Sequence, residues 1–128
     1  FVLYPFIDSI FFMKTGEISV DGEKLEVEIA DNFFTRAKGL SLRSEGKMLF
    51  KFSRESRAKI DMMLLSRPLY LYFMDSDRKV IDVQRAEAWS FDPRTWRLYS
   101  PGRSYRFLLE SFEDLGVEEG DEIEFLDV

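Results

Sequence analysis

Arg36 and Arg43 stand on either side of Gly39, which reads as the stop of a short helix, so two guanidinium groups bracket one helix end. A guanidinium presents a planar fork of N–H donors that matches a carboxylate or a phosphate, and the pair could clamp a small anion. The structural alternative is that each arginine pairs with a fixed acid, for example Glu110, or caps backbone carbonyls. Tyr70, Tyr72, Phe50 and Phe52 interleave with Lys47, Lys51 and Arg54, the composition of a stacking platform with phosphate contacts. An apolar groove for a partner peptide or a glycan would use the same aromatics, and so would plain sheet packing. The ligand-binding candidates are therefore Arg36, Arg43, Tyr70, Tyr72 and Glu110. No residue is assigned a catalytic or metal-ligating role, and no cofactor motif is present.

The remaining acids carry less. Asp75-Ser76-Asp77 is similar to the start of a calcium loop, but Arg78 and Lys79 follow at once, so the stretch reads as a hairpin turn. Glu113 with Asp114, and Glu118 with Glu119, are adjacent acids in turns, with no second group placed to shift their pKa values.

Composition removes whole classes of chemistry. With no Cys and no His, the chain has no thiol nucleophile, no Ser-His-Asp triad and no ordinary zinc site. Catalysis would have to use carboxylates, Lys, Tyr, Ser or a hard metal held by oxygen. The net charge of −6 is uneven: residues 110–128 hold nine acids and no Lys or Arg, whereas residues 36–59 hold eight basic residues against Glu45 and Glu55. The basic segment could form an anion-binding face or be paired and solvated. A sequence pI of about 4.8 argues against a dedicated nucleic-acid binder.

The elements that must position these residues read mostly as strands. Residues 69–74 alternate, with Leu69, Leu71 and Phe73 on one face and Tyr70, Tyr72 and Met74 on the other. A turn at 75–78 returns the chain as a strand over 79–83. Asp21-Gly22 joins strands over 17–20 and 24–29. Asp31 or Asn32 caps a short helix over 33–38. Further strands are expected over 47–52, 60–64, 96–99, 105–110 and 122–126, with a second short helix opened by Ser111 and ended by Gly116. The expected fold is mostly β (α+β by count): a compact antiparallel β-barrel-like or sandwich domain with one or two short helices. At 128 residues, 45% of them apolar and thirteen of them Phe, one hydrophobic core suffices. Residues 1–16 read as an apolar N-terminal arm or the remnant of an anchor or signal segment, and residues 17–128 as a single β-rich domain.

Arg36-Ala37-Lys38-Gly39-Leu40-Ser41-Leu42-Arg43, then Gly46-Lys47-Met48-Leu49-Phe50, then Pro68-Leu69, Phe73 and Asp75, and finally Leu108-Leu109-Glu110 and Gly120-Asp121 resemble in order and spacing the family called domain of unknown function 192. The resemblance spans roughly residues 24–126. It implies a compact β-rich fold and, in many members, an export or anchoring segment; it lends no activity. Where that family has a polar W-M-K-N-T run, this chain has Asp61-Met62-Met63-Leu64-Leu65, and where an Asp follows Pro-Leu it has Tyr70. A pocket built on those polar positions would be largely lost here.

No stretch names a reaction. The leading expectation is a non-catalytic accessory or binding domain, membrane-anchored or exported rather than cytoplasmic. It would contact a partner protein or a small anionic or glycan ligand through a basic and aromatic face. The alternatives are a carboxylate-based enzyme, with or without a metal, and a single-stranded nucleic-acid binder.

Overall fold

The computed structural model describes residues 14–32, 35–36 and 39–128. Seven strands, β1 (Lys14–Val20), β2 (Glu23–Ala30), β3 (Lys47–Ser56), β4 (Leu69–Met74), β5 (Val80–Ala86), β6 (Tyr105–Ser111) and β7 (Glu124–Asp127), form one sheet. Its order is β5-β4-β6-β3-β2-β1-β7. The N-terminal arm expected over residues 1–16 lies almost wholly outside the described residues, and β1 already occupies residues 14–16.

Local chemistry explains the hairpins. Asp21 and Gly22 both take positive φ, 51° and 82°, as a tight turn between right-twisted strands requires. At the β4–β5 turn Oδ1 of Asp75 accepts the N–H groups of Asp77 and Lys79 at 2.9 and 3.0 Å. Asn32 caps the turn that follows β2, its Oδ1 accepting from Thr35 N–H at 2.9 Å. The expected helix over 33–38 lies partly outside the described residues. Thr35 and Arg36 are helical, and Arg36 N–H and Gly39 N–H donate to the carbonyls of Asn32 and Thr35, both at 3.0 Å.

The pairing is mostly antiparallel, as the sequence pointed to, with one parallel pair that makes the sheet mixed. β2 and β3 are parallel, with Glu28, Ile29 and Ala30 opposite Met48, Leu49 and Phe50. The connection over residues 31–46 is long enough to carry the chain back to the end of the sheet at which β2 began, which a tight turn cannot do. Strands expected over 60–64 and 96–99 reduce to one bridge between Ile60 and Tyr99. After Ser111 there is no helix: Ser111 Oγ and Asp114 Oδ1 accept the N–H groups of Glu113 and Gly116, so side chains bond the backbone locally in place of a helical ladder.

The sheet curls without closing into a barrel. Its edges, β5 and β7, meet near their first residues, where Lys79 bridges Glu122 and Val80 N–H reaches the Asp121 carbonyl at 2.7 Å. Alternation along each strand divides the interior in two. One core holds Ile18, Val27, Leu49, Tyr72, Met74 and Leu109. The other holds Met48, Phe50, Leu69, Leu71, Phe73 and Leu108 and is covered by connections that bring in Leu40, Met62, Leu65 and Tyr99. Among the described residues no helix is long and apolar enough to cross a membrane.

Candidate functional site

The row of residues that crosses the middle of the sheet sets the site. Glu28 on β2 lies opposite Met48 on β3, Met48 opposite Glu110 on β6, and Glu110 opposite Leu71 on β4. Glu110 thus stands between Met48 and Leu71 in the middle strands of the sheet, beside the apolar core that holds them, and it is only 4% exposed. Burial pushes its carboxyl up to about 8, with the nearby charge of Asp61 adding to the rise. Among the described residues no donor hydrogen-bonds that carboxyl, and none of its oxygens is sealed off without a partner, so they open on the space above.

That space is a pocket of about 270 Å³. Phe50, Phe52, Leu40, Leu65 and Leu69 form apolar walls, and Arg36, Lys59 and Asp61 supply charge around them. Gly39 closes one side with backbone: a Cβ there would come 3.6 Å from Oε1 of Glu110 and 3.3 Å from Cζ of Phe50. Its φ of +52° is the left-handed conformation that glycine adopts without strain.

The two arginines that bracket Gly39 separate. Arg36 lines the pocket, with Nη1 donating to the Lys51 carbonyl at 3.3 Å and its guanidinium carbon 5.1 Å from the centre of the Phe52 ring. Arg43 turns away to Glu28, Nη1 to Oε2 at 2.5 Å. The pocket therefore brings together Arg36 and Glu110 of the sequence candidates and leaves Arg43 in a neighbouring ion pair. Tyr70 and Tyr72 lie on the opposite sheet face, in the second core. The Tyr72 hydroxyl accepts the Leu115 N–H at 2.9 Å and donates to Asp114 Oδ1 at 3.4 Å. Burial, first of all, pushes that phenol up to about 12.

Asp61 and Lys59 were not singled out by sequence reasoning. One signal was legible: Asp61 is the single charge in the run from Ile60 to Leu65. Among the described residues no group of three or more acids is arranged to hold a metal ion. A second feature lies beside the pocket, an open groove of about 470 Å³ lined by Met63, Leu64, Trp89, Phe91 and Trp96. Both indole N–H groups are used internally, donating to the carbonyls of Arg97 and Ser90 at 2.8 and 2.9 Å.

A family model agrees with the sequence resemblance. DUF192, described as an uncharacterized ACR, matches residues 7–125. The chain is similar to a UPF0127 protein of Pyrococcus abyssi, 32% identical over 108 residues that make up 79% of this chain and 86% of the relative. A UPF0127 protein of Thermococcus sibiricus is 34% identical over 107 residues, 77% of this chain and 65% of the relative, so the match takes in less than two thirds of that protein. In fold, the chain is similar to a crystal structure of a protein of unknown function from Novosphingobium aromaticivorans, with a TM-score of 0.69 and 23% identity over 88% of this chain and 85% of the other. A second crystal structure, from Sinorhizobium meliloti and described as a candidate transcription regulator, has a TM-score of 0.71 and 21% identity over 88% and 95% of the two chains.

Proposed function

We propose that this chain, which belongs to the DUF192 family, is a binding domain whose ligand is a small polar molecule held in the pocket over Glu110. The observation that carries the reading is a carboxyl group at the centre of the sheet, 4% exposed, with no donor among the described residues and its oxygens turned to a cavity. A buried carboxyl without a partner costs stability, and an apolar side chain in its place would not. A ligand that bonds to it offsets that cost. Apolar walls with a few convergent polar groups are the usual make-up of a small-molecule site.

The test is the melting temperature of the purified chain and of Glu110→Leu against a panel of small amines, polyols and carboxylates. A ligand that binds only the folded state raises stability by mass action. A saturable rise in the native chain that disappears in Glu110→Leu supports the reading. If no compound class shifts the native chain, or if the shifts survive in Glu110→Leu, the pocket is not the binding site.

One observation favours a second reading, a carboxylate-based enzyme. Glu110 keeps its proton near neutral pH while a second acid, Asp61, lines the same pocket, which is the arrangement a general acid needs. Turnover of chromogenic glycosides or esters that is abolished by Glu110→Gln would support it, and no turnover of either class would count against it.

A further inference from the structure

We propose that the ligand of this pocket carries a primary ammonium group, received at the inner end by Glu110 with Asp61 completing the negative field. The inference rests on the reading of the pocket as a small-ligand site and names the class of ligand.

The charges around Glu110 decide the sign. On the neighbouring strands its partners are Met48 and Leu71, neither of which carries charge. Glu28, farther along the same row, is already neutralised by Arg43. The connection after β3 contributes Lys59 and Asp61, and the turn before Gly39 contributes Arg36. Asp61 lines the same pocket as a like charge that adds to the raised pKa of Glu110, and Lys59 makes no ion pair with that carboxyl. Arg36 is held away from it, one donor on the Lys51 carbonyl and its guanidinium over Phe52. Among the described residues, then, no cation is paired with the Glu110 carboxyl at the inner end.

Donor count and wall chemistry agree. A protonated carboxyl can give one hydrogen bond, whereas an ammonium brings three donors to the acceptors of two acids. Phe50 and Phe52 line the same space, and an aromatic face beside carboxylates favours an alkylammonium. Gly39 presents no side chain over Oε1, so a ligand nitrogen can approach it. A pocket of about 270 Å³ equals roughly nine water volumes, room for a small amine and not for a folded peptide.

Binding of the cation releases a proton. The Glu110 carboxyl gives up its hydrogen to solvent, and the carboxylate then pairs with the ammonium, so affinity must rise with pH wherever free Glu110 is protonated, below about 8. An anionic ligand held by Arg36 and Lys59 and hydrogen-bonded by protonated Glu110 would show the opposite trend.

The experiment is titration calorimetry with n-butylammonium, 1-butanol and butyrate from about pH 6 to about pH 9, each in two buffers of different ionisation heat. The expected result is n-butylammonium binding that tightens by about tenfold per pH unit below about pH 8, with release of one proton. Glu110→Gln should remove the pH trend and the released proton, and Asp61→Asn, at an exposed position, should weaken binding several-fold without disturbing the fold. Equal binding of 1-butanol, or binding of butyrate that weakens with rising pH, overturns the ammonium class and leaves the pocket reading standing. Binding of none of the three overturns both.

Discussion

Gly39 and Glu110 face each other across the pocket at a separation that a single carbon would fill. A Cβ on Gly39 would lie 3.6 Å from Oε1 of Glu110 and 3.3 Å from the Phe50 ring, on a backbone at φ +52°. Gly39→Ala is therefore expected to cost about 1 kcal/mol, from the left-handed conformation and the shift asked of Phe50. It should also weaken any ligand bound at Glu110. Urea denaturation reads the first effect and ligand titration the second; a variant as stable as the native chain would show that Gly39 is not conformationally required.

Stability should fall as pH rises through the neutral range. Folded Glu110 keeps its proton up to about 8, against an ordinary value of 4.5, so between the two the native state binds a proton that the unfolded chain has lost. The contribution is complete below the unfolded value, diminishes by about 1.4 kcal/mol per pH unit across the window, and is gone above the folded value. Urea midpoints measured from about pH 5 to about pH 9 check this, and Glu110→Gln should flatten the curve. A native profile already flat over that range would mean that Glu110 ionises normally.

Arg43 and Glu28 should be coupled energetically. Their side chains are 27% and 21% exposed and meet at 2.5 Å. Either single alanine variant is expected to cost about 1–2 kcal/mol, and the double variant to cost less than the sum by about 1 kcal/mol. Additive costs in that cycle would show the pair to be energetically silent.

Tyr72→Phe removes the acceptor of the Leu115 N–H, a bond of 2.9 Å beside the second core. The expected cost is about 1–3 kcal/mol, because a partly buried donor is left without a partner. In the native chain this phenol should resist ionisation until about pH 12, visible in ultraviolet titration as a slow-rising tyrosinate signal. Early ionisation with no loss of structure would mean that the hydroxyl is open to water.

Much of the fold was written in local patterns. The alternation of Leu69 to Met74 placed its two sets of side chains in the two cores, and Asp21-Gly22 formed the turn that its permitted φ angles allow. The order of short motifs around Arg36, Gly46 and Glu110 identified the family. These features depend on residues near one another in the chain, so the chain alone carries them.

Tertiary structure decided what no local pattern holds. That β2 and β3 run parallel depends on where the connection between them returns, and the irregular path after Ser111 on side chains bonding their own backbone. The pocket joins Gly39, Asp61 and Glu110 from three distant parts of the sequence, and Arg36 and Arg43, close in sequence, end with different partners. The sequence offered Glu110 as a ligand-binding candidate and as a partner for the arginines; only packing at the centre of the sheet buried its carboxyl, and that burial is what gives it its chemistry.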